Sequence, residues 1–186
     1  MWYVNPTDIF VRLCKRTHGG TGDDSLWGGA GDDSLFGDVG NDTLHAQSGF
    51  DTVLGGDGND LAWGHDDNDS MRGDTGNDTL VGNGGDDTLD GSADNDTLQG
   101  NDGDDVFLFS DITHSTSSAH DRINDFVIGD DLIDLSAIGV TAIGTDTDEI
   151  TISNNGTNTF IDHNDNSFQI RVDGLVSLTS TDFIFA

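Results

Sequence analysis

With 186 residues, 6 Lys and Arg against 36 Asp and Glu, and a formal net charge of −30, the chain is acidic and long enough for one or two domains. Three of the six basic residues, Arg12, Lys15 and Arg16, sit near the start, so the rest keeps only Arg72, Arg122 and Arg171, too few to neutralise a nucleic-acid backbone. No window approaches eighteen apolar residues, which argues against a membrane-spanning helix, and the single cysteine, Cys14, excludes an internal disulfide framework.

The first eighteen residues, MWYVNPTDIFVRLCKRTH, lack a continuous apolar stretch because Asn5-Pro6-Thr7-Asp8 interrupts it, so a cleaved signal peptide is not expected. Residues 1–18 read as a linker remnant or as a strand capping the open end of the repeats that begin at Gly19.

From Gly19 the chain repeats every nine residues without a gap to Leu108. The rows are GGTGDDSLW, GGAGDDSLF, GDVGNDTLH, AQSGFDTVL, GGDGNDLAW, GHDDNDSMR, GDTGNDTLV, GNGGDDTLD, GSADNDTLQ and GNDGDDVFL. Column six is aspartate in every row: Asp24, Asp33, Asp42, Asp51, Asp60, Asp69, Asp78, Asp87, Asp96 and Asp105. Column one is glycine except at Ala46. Column four is glycine except at Asp67 and Asp94, a residue type that tolerates the left-handed region, so this column is predicted to need a positive φ. Column eight is apolar throughout and column seven is mostly Ser or Thr, which parses each row as six residues of turn and three of strand.

Three-residue strands need partners. If successive rows run along opposite faces, one coil takes eighteen residues and two parallel sheets face each other. Column eight then forms two inward ladders, Leu26, Leu44, Ala62, Leu80, Leu98 and Leu35, Val53, Met71, Leu89, Phe107. Ten such side chains are too few to offset the conformational entropy of ordering ninety residues. A cation is needed, because every loop brings an aspartate to the same edge as its neighbours. Glutamate is nearly missing, Glu149 being the only one among 36 acidic residues, as expected of turns that carry short carboxylates.

GGxGxD followed by x, an apolar residue and x resembles the nonapeptide of the RTX (repeats-in-toxin) proteins. The resemblance implies an all-β fold, a right-handed parallel β-roll of calcium-bound repeats over residues 19–108, capped by an antiparallel β segment over 109–186. Oxygen ligands supplied by carboxylates and glycine-loop carbonyls suit calcium, whereas softer metals would want Cys or His clusters that the repeats lack. The column-six aspartates are the expected side-chain ligands, with backbone carbonyls of loops such as Gly20, Gly22, Gly29, Gly31, Gly56, Gly58, Gly76, Gly85 and Gly103. In that family an ion lies between loops one coil apart, so ten rows give up to eight ions. Fewer or weaker sites are expected at AQSGFD, GHDDND and GSADND. The column-five acids Asp23, Asp32, Asp86 and Asp104 are expected to be solvated. Without calcium the same tract reads as disordered.

From Phe109 the period stops; short apolar runs occur at 106–109, where the last row ends, and then at 123–128, 132–135, 150–152, 159–161, 168–172 and 183–185. Asn155-Gly156 between two of them predicts a hairpin. DRINDF (121–126) and GDDLIDLSAIG (129–139) resemble the C-terminal region of serralysin metalloproteases and the R-modules of mannuronan C5-epimerases. The ending TDFIFA resembles that of type I secretion substrates. Asp121, Asp125 and Asp131 are candidates for a further calcium, with solvated turn aspartates as the alternative.

No HExxH or GxSxG motif is present, Glu149 beside Asp148 makes a poor acid/base pair, and His18, His45, His65, His114, His120 and His163 read as surface residues. The chain is therefore expected to be non-catalytic. It reads as an extracellular module that folds on binding calcium and serves secretion, folding or stability of a secreted protein, with an upstream catalytic domain or the type I secretion machinery as partners. The alternative is calcium-dependent binding of an alginate-like polysaccharide, with Trp27, Phe36 and Trp63 offering an aromatic face.

Overall fold

The computed structural model describes residues 9–10, 16–110, 120–140, 142–144, 149–163, 169–174 and 176–186. Through the repeats run β1 (Ile9–Phe10), β2 (Thr17–Thr21), β3 (Ser25–Ala30), β4 (Ser34–Val39), β5 (Thr43–Ser48), β6 (Thr52–Asp57), β7 (Leu61–Asp66), β8 (Ser70–Thr75), β9 (Thr79–Gly84), β10 (Thr88–Ala93) and β11 (Thr97–Asp102). Beyond them lie β12 (Val106–Leu108), β13 (Asp121–Ile123), β14 (Leu132–Asp134), β15 (Ala142–Ile143), β16 (Glu149–Asn154), β17 (Thr159–His163), β18 (Gln169–Val172) and β19 (Phe183–Ile184). Two single turns of 3-10 helix, Ser136–Ile138 and Ser180–Asp182, are the helical content of the described residues.

The strands alternate between two sheets, as an eighteen-residue coil requires. One sheet has the order β1-β3-β5-β7-β9-β11-β13-β18-β17-β16-β15 and the other β19-β14-β12-β10-β8-β6-β4-β2. The pairings from β2 to β12 are parallel, and each joins a residue to the one eighteen positions on, as in Leu26↔Leu44 and Val53↔Met71. The two column-eight ladders form as predicted. Every member is at most 1% exposed, and together they fill the space between the sheets.

Each strand is longer than the three-residue parsing. β3 takes columns seven to nine of one row and columns one to three of the next, because column one continues the pleat and buries its backbone inward. The turn proper therefore shrinks to columns four to six. Its shape is set by positive φ at column four in all ten rows, including Asp67 (72°) and Asp94 (81°).

The coil also runs further than the sequence period. At one end β1 pairs with β3, placing a strand at the open end of the roll. At the other, Ile123 stacks on Leu98 and Ile133 on Phe107, and Val172 and Phe183 continue the two ladders in turn. Antiparallel pairing is confined, among the described residues, to β16–β17 and β17–β18. The hairpin at Asn155-Gly156 is present, with Gly156 at φ 88° and the Asn155 side chain accepting from the backbone N–H of Thr157 and Asn158. His114, Asp148 and Phe168 fall outside the described residues.

Candidate metal centre

Column six builds the site. Its ten aspartates are all buried, at 6% exposure or less. One carboxylate oxygen is committed to the fold from the third row on, since Oδ1 accepts from the backbone N–H of the column-six aspartate one coil earlier. Asp24 donates to Asp42, Asp42 to Asp60, Asp60 to Asp78 and Asp78 to Asp96 at 2.7–2.8 Å along one edge. Asp33, Asp51, Asp69, Asp87 and Asp105 form the same ladder along the other edge, at 2.7–2.9 Å.

The second oxygen is left over. Oδ2 of Asp24, Asp42, Asp51, Asp60, Asp69, Asp78, Asp87, Asp96 and Asp105 is buried and accepts no hydrogen bond. Around it lies a space that a side chain would fill. A Cβ on Gly73 would stand 2.2 Å from Asp78 Oδ2 and 2.7 Å from the carbonyl oxygen of Gly91 on the next coil. The same holds at Gly37, Gly55 and Gly64, so column one is glycine to keep this cradle open and not for its φ. Column four brings a second carbonyl: a Cβ on Gly76 would stand 2.0 Å from the oxygen of Gly58.

Electrostatics make the cradles unstable as they stand. Arg72 is the only Lys or Arg between Gly19 and Leu108, and its guanidinium pairs with Asp74 and Ser92 on an outer face. Burial therefore pushes the carboxyl of Asp42 up to about 6, Asp69 to about 7 and Asp78 to about 8; the backbone N–H bond opposes this and neighbouring carboxylates add to it. A buried carboxylate must either take a proton or face a cation. The donors present are oxygens only, which fits a hard divalent ion. No three acidic, imidazole or thiol side chains converge among the described residues, so an ion here would rely on backbone carbonyls together with the aspartates of neighbouring loops.

Of the cap candidates, two take the next rung of each ladder. Asp96 N–H donates to Asp121 at 2.9 Å and Asp105 N–H to Asp131 at 3.1 Å, and both carboxylates are buried. Asp125 instead accepts from the N–H groups of Gly100 and Asn101. The expected backbone contributors Gly20, Gly22, Gly29, Gly31, Gly56, Gly58, Gly76, Gly85 and Gly103 all have positive φ.

Column five is more than solvated. Its side chains are exposed but form an outer ladder: Asp23 accepts from Asn41 N–H, Asn41 from Asn59 and Asn59 from Asn77. Column two supplies three of the expected carbonyl contributors, Gly20, Gly29 and Gly56, but a positive φ is not predicted for it. Its φ is nonetheless positive in every row, at Asp38, Gln47, His65, Asp74, Asn83, Ser92 and Asn101 as well as at its glycines. The signal was there in the Gly, Asp and Asn that fill most of it.

The column-nine aromatics differ from expectation. His45 lies between Trp27 and Trp63, with ring centroids 5.7 and 4.5 Å away and interplanar angles of 14° and 3°. The indole faces that would receive a sugar between coils are covered by imidazole. Phe36 lies on the other sheet, stacked with His18 at 4.5 Å.

The profile of the RTX calcium-binding nonapeptide repeat, in four copies, matches residues 18–44, 45–80 and 81–110, half of the chain. The chain belongs to this family. Alginate lyase 7 of Azotobacter vinelandii is 38% identical over 79 residues, 37% of this chain and 9% of that protein. Mannuronan C5-epimerase AlgE5 of the same organism is 43% identical over 76 residues, 36% of this chain and 8% of the epimerase. The chain thus spans less than a tenth of the length of either relative. The solution structure of the AlgE6R2 subunit of an Azotobacter vinelandii mannuronan C5-epimerase superposes with a TM-score of 0.53 at 28% identity, covering 66% of this RTX chain and 88% of that one.

Proposed function

We propose that this RTX chain is a non-catalytic module of a secreted protein, folded by calcium. The observation that carries the reading is the file of buried Oδ2 atoms along each edge, with a backbone carbonyl oxygen of the next coil close by at Asp24, Asp42, Asp60, Asp69, Asp78 and Asp87. Calcium is held between the column-six aspartates of loops one coil apart, with carbonyls of columns one and four completing the shell. Asp121 and Asp131 extend each ladder by one rung, which raises the ceiling from eight ions to ten. The repeats of residues 19–108 form the body of the roll, residues 109–186 carry its stacking on into the cap, and residues 1–18 lead into it.

In the cytosol, where calcium is scarce, thirty excess negative charges keep the chain open and exportable; outside, sites of about 10⁻⁴–10⁻³ M fill and the coils form. The partners are calcium, the type I secretion machinery and a catalytic domain attached upstream. A second reading, binding of an acidic polysaccharide, is supported by the alginate-related relatives; its cations would be Arg122 and Arg171, which share Asp173, since His45 fills the space between the two indoles.

Protons and calcium compete for the same oxygens. In the ion-free roll the raised carboxyls favour folding below about pH 4, and this contribution is lost as pH rises through 6 to 8. Calcium must displace those protons, so its affinity is expected to increase with pH over that window. Calorimetric titration with calcium at pH 6 and pH 8, in buffers of different ionisation enthalpy, is expected to show tighter binding at pH 8 and proton release at pH 6. Equal affinity at both pH values with no proton release would rule out the column-six aspartates as ligands.

A further inference from the structure

His45 and His65 meet on the outer face of the sheet that carries Trp27 and Trp63, with His45 Nδ1 3.1 Å from His65 Nε2. His45 is in column nine and His65 in column two of the neighbouring coil. The same diagonal joins His18 to Asp38, Arg72 to Ser92 and Asp90 to Ser110, so the roll places side chains twenty residues apart within reach of each other. Among the described residues, only at this position are both partners imidazoles.

The His45 ring is held in place, and the His65 ring packs against it. The two indoles cover the faces of His45 and leave its Nδ1 edge to His65, while His65 projects from a residue at φ 84°. Two imidazole nitrogens bound to one tetrahedral ion, at about 2.0–2.1 Å each, stand about 3.3 Å apart. The observed separation is close to this, and it also suits a direct N–H···N bond that an ion would replace. Burial and the neighbouring His65 lower the pKa of His45, which favours the neutral ring that ligates. Gln47, Ser48, His65 and Asp66 line one surface recess beside the pair.

We propose that His45 and His65 bind a borderline divalent transition-metal ion, Zn²⁺ or Cu²⁺, at a site separate from the oxygen-lined loops. Calcium prefers oxygen and leaves this pair alone, whereas Cu²⁺ heads the affinity order for nitrogen donors. No third acidic, imidazole or thiol group converges with the two among the described residues, so water completes the shell and the ion is exchangeable.

The test is a Cu²⁺ titration of the full chain in saturating calcium, followed by tryptophan fluorescence, because Trp63 stacks directly on His45. Quenching is expected to saturate at one equivalent. Changing even the outer shell of a metal site weakens binding about 10–100-fold, so His45→Gln and His65→Asn are each expected to weaken the event at least tenfold. His120→Gln should leave it unchanged. Asparagine occupies column two at φ 84° and 75° in Asn83 and Asn101, so His65→Asn keeps the coil. Quenching that persists in both variants, or no one-equivalent event in the parent protein, overturns the site. The electron paramagnetic resonance spectrum of the parent's Cu²⁺ complex decides without any variant: hyperfine structure from two imidazole nitrogens is expected, and an all-oxygen spectrum contradicts the proposal.

Discussion

Asp78→Asn is expected to act in opposite directions with and without calcium. The substituted side chain would keep the Oδ1 acceptor that holds Asp60 N–H at 2.7 Å, so the backbone ladder survives. The change replaces the buried, unpartnered Oδ2 with an amide nitrogen and removes one charge from a file of like charges. In calcium, a ligand shared by two neighbouring seats is lost. The expected cost is about 3–5 kcal/mol, the range for removing one partner of a buried charge pair, seen as a higher calcium midpoint and easier urea unfolding. In chelator the sign reverses: burial pushes the carboxyl of Asp78 up to about 8, so the neutral amide relieves a penalty and residual β signal should match or exceed that of the parent chain. Destabilisation of equal size in both conditions would mean that Asp78 acts through packing and not through an ion.

Gly73→Ala tests the cradle itself. Gly73 does not need a positive φ, so the argument concerns space alone: the added methyl would stand 2.2 Å from Asp78 Oδ2 and crowd the oxygen proposed to face the ion. Overpacking costs about 1–3 kcal/mol, and displacement of the ion adds to this in calcium. Gly84→Ala is the matched control. The nearest atom to a Cβ at Gly84 is 3.7 Å away, so it should stay within about 0.5 kcal/mol of the parent. Row four already carries the unfavourable residue, because Ala46 is fully buried in column one. Ala46→Gly is therefore expected to lower the calcium midpoint. If Gly73→Ala leaves calcium affinity at the parent value, the cradle is not the ion's seat.

Much of the roll was legible because a nine-residue period fixes both the strand spacing and the side of every side chain. Asp in column six, the apolar ladders and the positive φ of column four all follow from residue type at fixed offsets. What escaped was whatever depends on register between coils. Column two hides its positive φ behind Gln47, His65 and Ser92, types not chosen for that conformation. The column-five ladder and the His45–His65 contact join residues eighteen and twenty apart, and these meet only once the coil is closed. Asp121 and Asp131 lie twenty-five and twenty-six residues after the rungs they continue, so no scan at a fixed period reaches them. The expected antiparallel segment is present at β16–β18, but the parallel stacking beside it was hidden for the same reason. Ile123, Ile133 and Phe183 extend the parallel ladders across insertions that break the repeat but keep the stacking.

If calcium at the two edges is what holds the coils together, chelator-stripped protein should lack them. Far-ultraviolet circular dichroism during a calcium titration, with magnesium as the control, reads this out on the intact chain. A cooperative rise in β signal is expected near millimolar calcium and none with magnesium, which demands octahedral geometry at shorter distances than these carbonyl-lined seats suit. An identical β spectrum in chelator and in calcium would contradict calcium-driven folding.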